Sequence, residues 1–204
     1  MTNRSNKSTK TNAVQPSNRK HVVEVAAQLF LRGGYAHTSM DDVMRESRVS
    51  KSNIYYHFKS KEELLLAVVE YWAHTYESAL TALLEQPHRT VEERTLVFLA
   101  ALADGFAVRN CQGGCPFVSL YVQSPEQASQ VKARISRFFA ELKPNLEKLF
   151  RQGIDAGEFR PDLEAAAVSM LFLTALEGAL VLAETISDLS IIQQTGRSFF
   201  KMLR

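Results

Sequence analysis

A polar stretch near the N-terminus, VSKSNIYYHFKSKEELL (residues 49–65), carries the side chains best suited to recognition chemistry. Ile54 and Phe58 lie four residues apart and supply the apolar face that a short helix needs. Packing does not explain six residues around them, Lys51, Tyr55, Tyr56, His57, Lys59 and Lys61, and Ser52 and Asn53 lie with Lys51 at the start of the helix. In a major groove, Lys suits guanine, Asn suits adenine and Ser suits either base, while Tyr and His suit phosphate oxygens or a thymine methyl. The stretch therefore predicts contact with DNA.

The sequence around this stretch has the spacing of a helix-turn-helix. Thr38 to His57 spans 20 residues, enough for a helix, a break near residues 47–50 and a second short helix. In this motif the second helix enters the major groove and the first crosses the DNA backbone. Lys61 then falls in the first turn of the next helix, where free backbone N–H groups also favour a phosphate.

Charge is divided unevenly along the chain. Residues 1–61 carry eleven lysines and arginines against four acidic residues, a net charge of +7, whereas residues 62–204 carry thirteen against eighteen, a net charge of −5. A basic module on an acidic remainder is typical of a protein that meets a polyanion. Residues 1–17 are polar and free of acidic residues, which predicts a disordered basic arm.

Helical periodicity dominates and strand alternation is nearly absent, so we predict an all-α fold of about nine helices. Three helices are expected to form a DNA-binding domain over residues 18–64. A long fourth helix leads, with no Gly/Ser-rich linker, into a helical domain over residues 65–204. Predicted starts of the second to eighth helices are Thr38-x-x-Asp41, Ser50, Ser60-x-x-Glu63, Thr90, Pro116, Ser124-Pro125-x-Gln127 and Pro161-Asp162, with a kink at Pro144.

Residues 26–65 resemble the N-terminal domain of the TetR family of transcriptional repressors. The matching motifs are LF…GGY…TSMDDV and VSKSNIYYHFKSKEELL, with the spacing between them. The resemblance implies an all-helical homodimer that binds operator DNA and releases it when a small molecule enters the C-terminal domain. By position, it implies DNA contacts from Thr38, Ser50, Lys51, Ser52, Asn53, Tyr55, Tyr56, His57 and Lys61.

The chain departs from the family pattern in the turn, where Arg48 stands in place of the usual glycine. This position often requires a positive φ, which costs a residue other than glycine about 1 kcal/mol. Either a phosphate contact by Arg48 offsets that cost or the turn is reshaped.

Aromatic side chains in the C-terminal part are candidates for a ligand pocket, although each also fits a hydrophobic core. The candidates are Trp72, Phe98, Phe106, Phe117, Tyr121, Phe138, Phe139 and Phe172, with Glu177 as the acidic group. Glu177 is either a ligand contact or a polar anchor at a dimer interface.

Residues 165–183 are apolar nearly all round and almost long enough to span a membrane. Glu177 near the middle and acidic flanks at Glu164 and Glu184 disfavour a membrane span. We instead predict a helix buried on all sides, with Leu173 and Leu180 on the seam of a homodimer.

The two cysteines, Cys111 and Cys115, are too few for a zinc site and make no disulfide framework, so we expect a cytoplasmic protein without a metal or cofactor. As the N-cap before Pro116, Cys115 would have its thiol pKa lowered by the helix dipole. The motifs GCPF and LEGAL also resemble a family branch that includes oxidant and electrophile sensors. The alternative is that Cys115 is a small buried hydrophobic residue.

The combined hypothesis is a sequence-specific repressor that a small apolar or electrophilic inducer releases from a palindromic operator. An enzyme is disfavoured, because the chain has no Gly-rich phosphate loop, no H-E-x-x-H and no G-x-S-x-G motif. An adaptor protein with the same fold is the remaining alternative class.

Overall fold

A computed structural model of the protein describes residues 18–86 and 88–204, which form nine helices and no β-strand. The helices are α1 (Asn18–Gly33), α2 (Met40–Ser47), α3 (Lys51–His57), α4 (Lys61–Leu84), α5 (Val91–Val108), α6 (Pro116–Gln123), α7 (Ser129–Asp155), α8 (Ala165–Thr185) and α9 (Ser190–Leu203). The predicted all-α fold is confirmed. The basic arm predicted for residues 1–17 lies outside the described residues.

Helices α1 to α3 form a small N-terminal unit around a shared core. Val22, Ala26 and Phe30 follow each other at intervals of four along α1, and all three are fully buried. Ile54 and Phe58, the apolar pair noted in the sequence, are also buried and belong to this core. The short α3 is therefore fixed by one apolar side, and its other side is left for solvent or a partner.

Helix α2 begins one residue later than the sequence pattern indicated. Ser39, not Thr38, is its N-cap: the Ser39 hydroxyl accepts a hydrogen bond from the backbone N–H of Asp42 at 3.1 Å, and the Asp42 carboxylate accepts one from the backbone N–H of Ser39 at 2.8 Å. The Ser39 hydroxyl also donates to the Asp42 carboxylate at 2.6 Å; this bond, then the one from the Ser39 backbone N–H and the one from Arg45, lower the pKa of Asp42 to about 2. Thr38 is buried and donates its hydroxyl to the carbonyl oxygen of Gly34 at 2.9 Å.

The other caps are partly as predicted. Ser60 and Thr90 cap α4 and α5, and each side chain accepts a hydrogen bond from the backbone N–H three residues later. The starts predicted for α7 and α8 are wrong. Ser124 ends α6, because its N–H and hydroxyl donate to carbonyl oxygens of that helix, while Pro161 and Asp162 lie in a turn before α8. Helix α7 continues unbroken for 27 residues.

Helix α8 packs against α7 and α9 on one side only. Its exposed large side chains are Met170, Leu171, Val181, Leu182 and Ile186. In the single chain one side of α8 is therefore exposed, and the predicted burial on all sides would require a second copy of the chain. By length and composition α8 is also apolar enough to cross a membrane, but helices in the core of soluble proteins share those properties.

The loop between α5 and α6 and the end of α6 join the C-terminal unit to α1. Gly113 lies so close to Leu31 that a Cβ atom at residue 113 would be 2.8 Å from the Leu31 backbone oxygen. The backbone N–H of Tyr35 donates to Gln123 Oε1 at 2.6 Å, and Arg32 Nη2 donates to the carbonyl oxygen of Val108 at 3.2 Å. These contacts and α4 are two separate connections between the units.

Candidate nucleic-acid interface and ligand cavity

The exposed side of α3 is formed by four residues, Lys51, Ser52, Tyr55 and Tyr56. Their spacing puts them on one helix face, opposite the buried Ile54. Tyr56 is 76% exposed, an unusual position for a large aromatic side chain with no packing role. A helix of this kind, with a polar outer face of modest bulk, fits the width of a major groove. We call these four residues the α3 face.

Two lysines place positive charge at the α3 face: Lys51, which belongs to it, and Lys59, which follows the helix. Lys51 Nζ lies 5.9 Å from the centre of the Tyr55 ring. Lys59 Nζ donates to the carbonyl oxygens of Tyr55 at 3.0 Å and Tyr56 at 3.3 Å, which satisfies backbone acceptors at the end of α3. Lys59 is among the residues for which the sequence offered no packing role, although the family resemblance did not imply a DNA contact at this position.

The turn before α3 has the backbone conformation that the usual glycine implies. Arg48 has φ 56° and ψ 24°, in the left-handed region, so the turn is not reshaped and the arginine carries the conformational cost. Its side chain is exposed. Ser50 is the N-cap residue of α3 but makes no side-chain capping bond, and its hydroxyl lies 3.3 Å from that of Ser52.

The remaining predicted contacts do not lie on the α3 face. Thr38 is buried, as described above. Asn53 is half-buried, and its Oδ1 is enclosed without a hydrogen-bond partner among the described residues. His57 is also half-buried and packs edge-on to the Tyr56 ring. Lys61 donates to the carbonyl oxygen of Ala36 at 3.4 Å, and partial burial lowers its pKa.

A small cavity of about 50 Å³ lies in the C-terminal unit between α4, α5, α6, α7 and α8. Six of the predicted pocket residues line it: Phe98, Phe117, Phe138, Phe139, Phe172 and Glu177. Tyr76 and Cys115 line it as well. The rings of Phe117 and Phe138 stack with their centres 3.7 Å apart. We call this space the inner cavity.

Three predicted pocket residues lie elsewhere. Phe106 is fully buried beneath Arg109, Tyr121 is 44% exposed beside Lys132, and Trp72 borders a different cavity. Leu173 and Leu180, predicted at a dimer seam, instead line the inner cavity. Because α8 is apolar on every side, the spacing of its apolar residues does not indicate which of them face the interior of the chain.

Cys115 is the N-cap residue of α6, as predicted, but the predicted lowering of its pKa is wrong. Burial raises the pKa of the Cys115 thiol, and the nearby Glu177 carboxylate raises it further. Hydrogen bonds from the backbone N–H groups of Val118 and Phe117 at the helix start oppose the rise, but burial outweighs them. In this state the residue is a neutral thiol.

Glu177 faces the inner cavity rather than the exposed side of α8. Its Oε2 is buried and has no hydrogen-bond partner among the described residues. Burial raises the pKa of Glu177, and a hydrogen bond with the Cys115 thiol only partly opposes this rise. Within residues 18–86 and 88–204, no group of three His, Cys, Asp or Glu side chains is arranged to hold a metal ion.

Comparison with known proteins assigns both units of the chain. Residues 22–68 match the family model for bacterial regulatory proteins of the tetR family, and residues 92–199 match the model for a tetracyclin repressor-like C-terminal domain. The HTH-type transcriptional repressor DhaR of Mycobacterium sp. strain GP1 is 23% identical over 163 residues, covering 80% of each protein.

Solved structures show the same fold. A TetR regulatory protein from Rhodobacter sphaeroides superposes with a TM-score of 0.82 at 19% identity, over 91% of this chain and 98% of that one. The reduced form of Escherichia coli NemR superposes with a TM-score of 0.78 at 17% identity, over 93% and 99% of the two chains. Since the C-terminal family model alone covers more than half of the sequence, the chain belongs to the TetR family of bacterial transcriptional regulators.

Proposed function

We propose that this protein is a repressor that binds a palindromic operator as a homodimer and releases it when a small apolar molecule enters the inner cavity. The observation that carries the proposal is the α3 face, whose lysine, serine and tyrosines have no packing role. Members of the TetR family bind operator DNA and act as dimers, which agrees with this arrangement.

Within the α3 face we assign two roles. Lys51 and Ser52 lie in the first turn, the part of a recognition helix that contacts base edges. Tyr55 and Tyr56 are further along and present hydroxyl groups that suit phosphate oxygens. Arg48, Ser50 and Lys59 flank the face, and their exposed polar groups are our candidates for further backbone contacts.

The exposed apolar side of α8 is our candidate for the dimer seam. Leu171, Val181 and Leu182 are each about half exposed, and together with Met170 and Ile186 they form an apolar side that runs from residue 170 to the C-cap of the helix. Soluble monomers seldom leave such an apolar side in water, whereas a second copy of α8 would cover it. A palindromic operator requires the two α3 helices of the dimer to be about 34–36 Å apart.

Release would come from expansion of the inner cavity. A volume of about 50 Å³ is smaller than that of most ligand pockets, so a ligand favours a state in which the walls have moved apart. Tyr76, in one of those walls, belongs to α4, the helix that begins beside α3. A coupling of about 1–3 kcal/mol between the two sites would weaken DNA binding some 5–150-fold.

Thiol sensing by Cys115 is the second candidate for the switch. It is supported by the likeness to Escherichia coli NemR, which has been solved in a reduced form. The buried thiol with a raised pKa argues against it, because the thiolate is the reactive species. The two switches differ in whether Cys115→Ser abolishes release of operator DNA by a mild oxidant.

The test of the proposed function is footprinting on the DNA upstream of the protein's own gene, followed by titration of the protected site. We expect a protected palindrome, and affinity that falls steeply as salt increases because several phosphates are neutralised. Absence of a protected palindrome there and elsewhere in the source genome would reject the proposal. Release by apolar compounds, compared with release by oxidant in wild type and Cys115→Ser, identifies the class of inducer.

A further inference from the structure

A second cavity, of about 220 Å³, lies between α4 and α5. Tyr76, Phe98 and Leu102 separate it from the inner cavity and line both spaces. Arg109 and Trp72 also line it. We call this space the outer cavity. Its walls are apolar apart from a few polar groups, two of which, on Arg109 and Trp72, have donor capacity left unused.

Arg109 is the first of these donors. Its side chain is only 7% exposed, and no carboxylate oxygen of the described residues lies within 4 Å of it. Nε donates to the carbonyl oxygen of Gln112 at 3.3 Å, and Nη2 donates to that of Gly114 at 3.2 Å. Glu184 has only a longer-range influence on it, because its Oε1 accepts from the backbone N–H of Gly113 at 2.9 Å. Buried charges are normally paired, and this guanidinium keeps unused N–H groups.

Trp72 is the second donor. Its Nε1 is buried and has no acceptor among the described residues, although a buried indole N–H usually has one. The Arg109 guanidinium lies 5.6 Å from the centre of the Trp72 ring. A guanidinium with unused N–H groups and no carboxylate partner therefore lies beside an indole N–H without an acceptor, and an anion would satisfy both.

Gly105 provides the space. It lies within α5 and lines the outer cavity, and a Cβ atom built on it would meet nothing within 4 Å. Glycine in the interior of a helix is destabilising by roughly 0.5–1 kcal/mol relative to alanine. No neighbouring atom excludes a side chain at residue 105, so packing does not explain the glycine. A larger side chain at this position would fill the cavity.

We infer that the outer cavity binds a small organic carboxylate, with its carboxylate on Arg109 and Trp72 Nε1 and its apolar body against Phe98 and Leu102. Arginine is the side chain best matched to a carboxylate, because two of its N–H groups can bind both oxygens. Thr75 offers little to a second polar group, since its hydroxyl donates to the carbonyl oxygen of Tyr71 at 2.8 Å. The ligand class is therefore a monoanion with an aromatic or branched apolar body.

Binding at Arg109 has a direct consequence for the loop between α5 and α6. The guanidinium holds the carbonyl oxygens of Gln112 and Gly114, and between them Gly113 packs on Leu31 of α1. A carboxylate that engages Arg109 competes with those two carbonyl groups and loosens the contact with the DNA-binding unit. This regulatory use rests on the proposed function, whereas carboxylate binding itself does not.

The test uses the intrinsic fluorescence of Trp72, which is the only tryptophan in the chain. The full-length protein without DNA is titrated with benzoate, phenylacetate and 3-phenylpropionate, and with the corresponding neutral amides. We expect a saturable signal from at least one acid and binding of its amide that is weaker by about tenfold or more. Equal binding of acid and amide, or no saturation with any acid, would overturn the inference.

Three variants locate the site. Arg109→Gln should abolish acid binding, and Gly105→Leu should abolish it by filling the cavity while leaving Arg109 in place. Arg137→Gln, an exposed arginine on α7, should bind as wild type does. Gly105→Leu keeps the test decisive if Arg109→Gln does not fold, and unchanged binding in folded Gly105→Leu would overturn the inference. Because no DNA is present, the result is independent of whether an operator is found.

Discussion

The α3 face and the two cavities of the C-terminal unit present their polar groups in opposite ways. On α3, the unexplained side chains are exposed and clustered around a helix with a single apolar side. In the cavities, the unexplained groups are two buried atoms without partners, Glu177 Oε2 and Trp72 Nε1, and the buried Arg109, which has no carboxylate partner among the described residues. A surface that reads a polymer must display its chemistry, whereas a receptor for a small molecule must enclose it. The α3 face can be recognised as a sequence motif. The cavities are recognised only from the structure, by buried polar groups that lack partners.

The largest effect is expected at the exposed side of α8, our candidate for the seam between two copies of the chain. Val181→Asp should produce monomers and reduce operator affinity by at least about 100-fold, because an unpaired charge would be buried at the seam. The matched control is Val97→Asp on α5, since Val97 and Val181 are both 54% exposed. Sedimentation and fluorescence anisotropy measure the two outcomes. A dimeric Val181→Asp would show that the seam lies elsewhere.

Leu180→Asp tests the opposite side of α8, which faces the interior of the chain. Leu180 is buried and lines the inner cavity, so the aspartate should unfold the protein rather than separate a dimer. Circular dichroism distinguishes the two outcomes. A folded monomer would mean that this residue, and not Val181, faces the second copy.

Within the DNA-binding unit, Lys51→Ala should weaken operator binding by about 1–3 kcal/mol, and mainly at one base pair. Lys61→Ala should cost less, and similarly for every sequence, because its ammonium group already engages Ala36. Lys148→Ala, an exposed lysine on α7, is the control without an expected effect. Binding is measured against a set of single-base operator variants. Equal losses across that set for Lys51→Ala would remove its assignment as a base reader.

Ser39→Ala should destabilise the protein by about 1 kcal/mol through loss of the cap of α2. The folded-state pKa of Asp42 is lowered from 3.8 to about 2, so its stabilising contribution is present above pH 3.8 and is lost as the pH falls towards 2. The difference in thermal unfolding between wild type and variant should therefore be full at pH 7 and shrink between pH 3.8 and about pH 2. A constant difference over that range would exclude Asp42 as the partner of Ser39.

The smallest expected effect is at Glu177. Burial raises its folded-state pKa, so ionisation opposes folding and the loss of stability develops as the pH rises above the ordinary carboxyl pKa of 4.5. Glu177→Gln should therefore raise the melting temperature at neutral pH by about 2–4 °C, equivalent to about 1 kcal/mol, and have little effect near pH 4. Glu141→Gln, at an exposed position on α7, is the control. A lower melting temperature for Glu177→Gln at pH 7 would contradict the assignment.

Local rules that act within one turn of chain were predictable from the sequence. Ser60 and Thr90 cap their helices, and Arg48 has the positive φ that the glycine of the family implies. The cap of α2 was misplaced by one residue because both Thr38 and Ser39 have an aspartate three residues later. The choice depends on tertiary contacts, in which Thr38 turns its hydroxyl into the α1–α2 loop.

The cavities were less predictable, because their properties arise between helices. The sequence identified aromatic residues correctly as an apolar set, but it did not separate Phe106, which is enclosed in the core, from Phe98, which borders both cavities. For Cys115 the position at the helix start was predicted, yet burial reverses the expected direction of its pKa shift. Helix position is a local property, whereas desolvation depends on every neighbouring helix.

The close approach of Gly113 to Leu31 has a consequence for the engineering of hybrid regulators. A chimera that joins the first three helices of another protein to the C-terminal unit of this chain at α4 would keep one covalent connection but lose the contact surface of the α5–α6 loop. Such a hybrid should bind its operator and its ligand yet respond weakly. A second hybrid would keep residues 31–35 of this chain, because Leu31 contacts Gly113 and the Tyr35 backbone N–H donates to Gln123. This hybrid should recover the response.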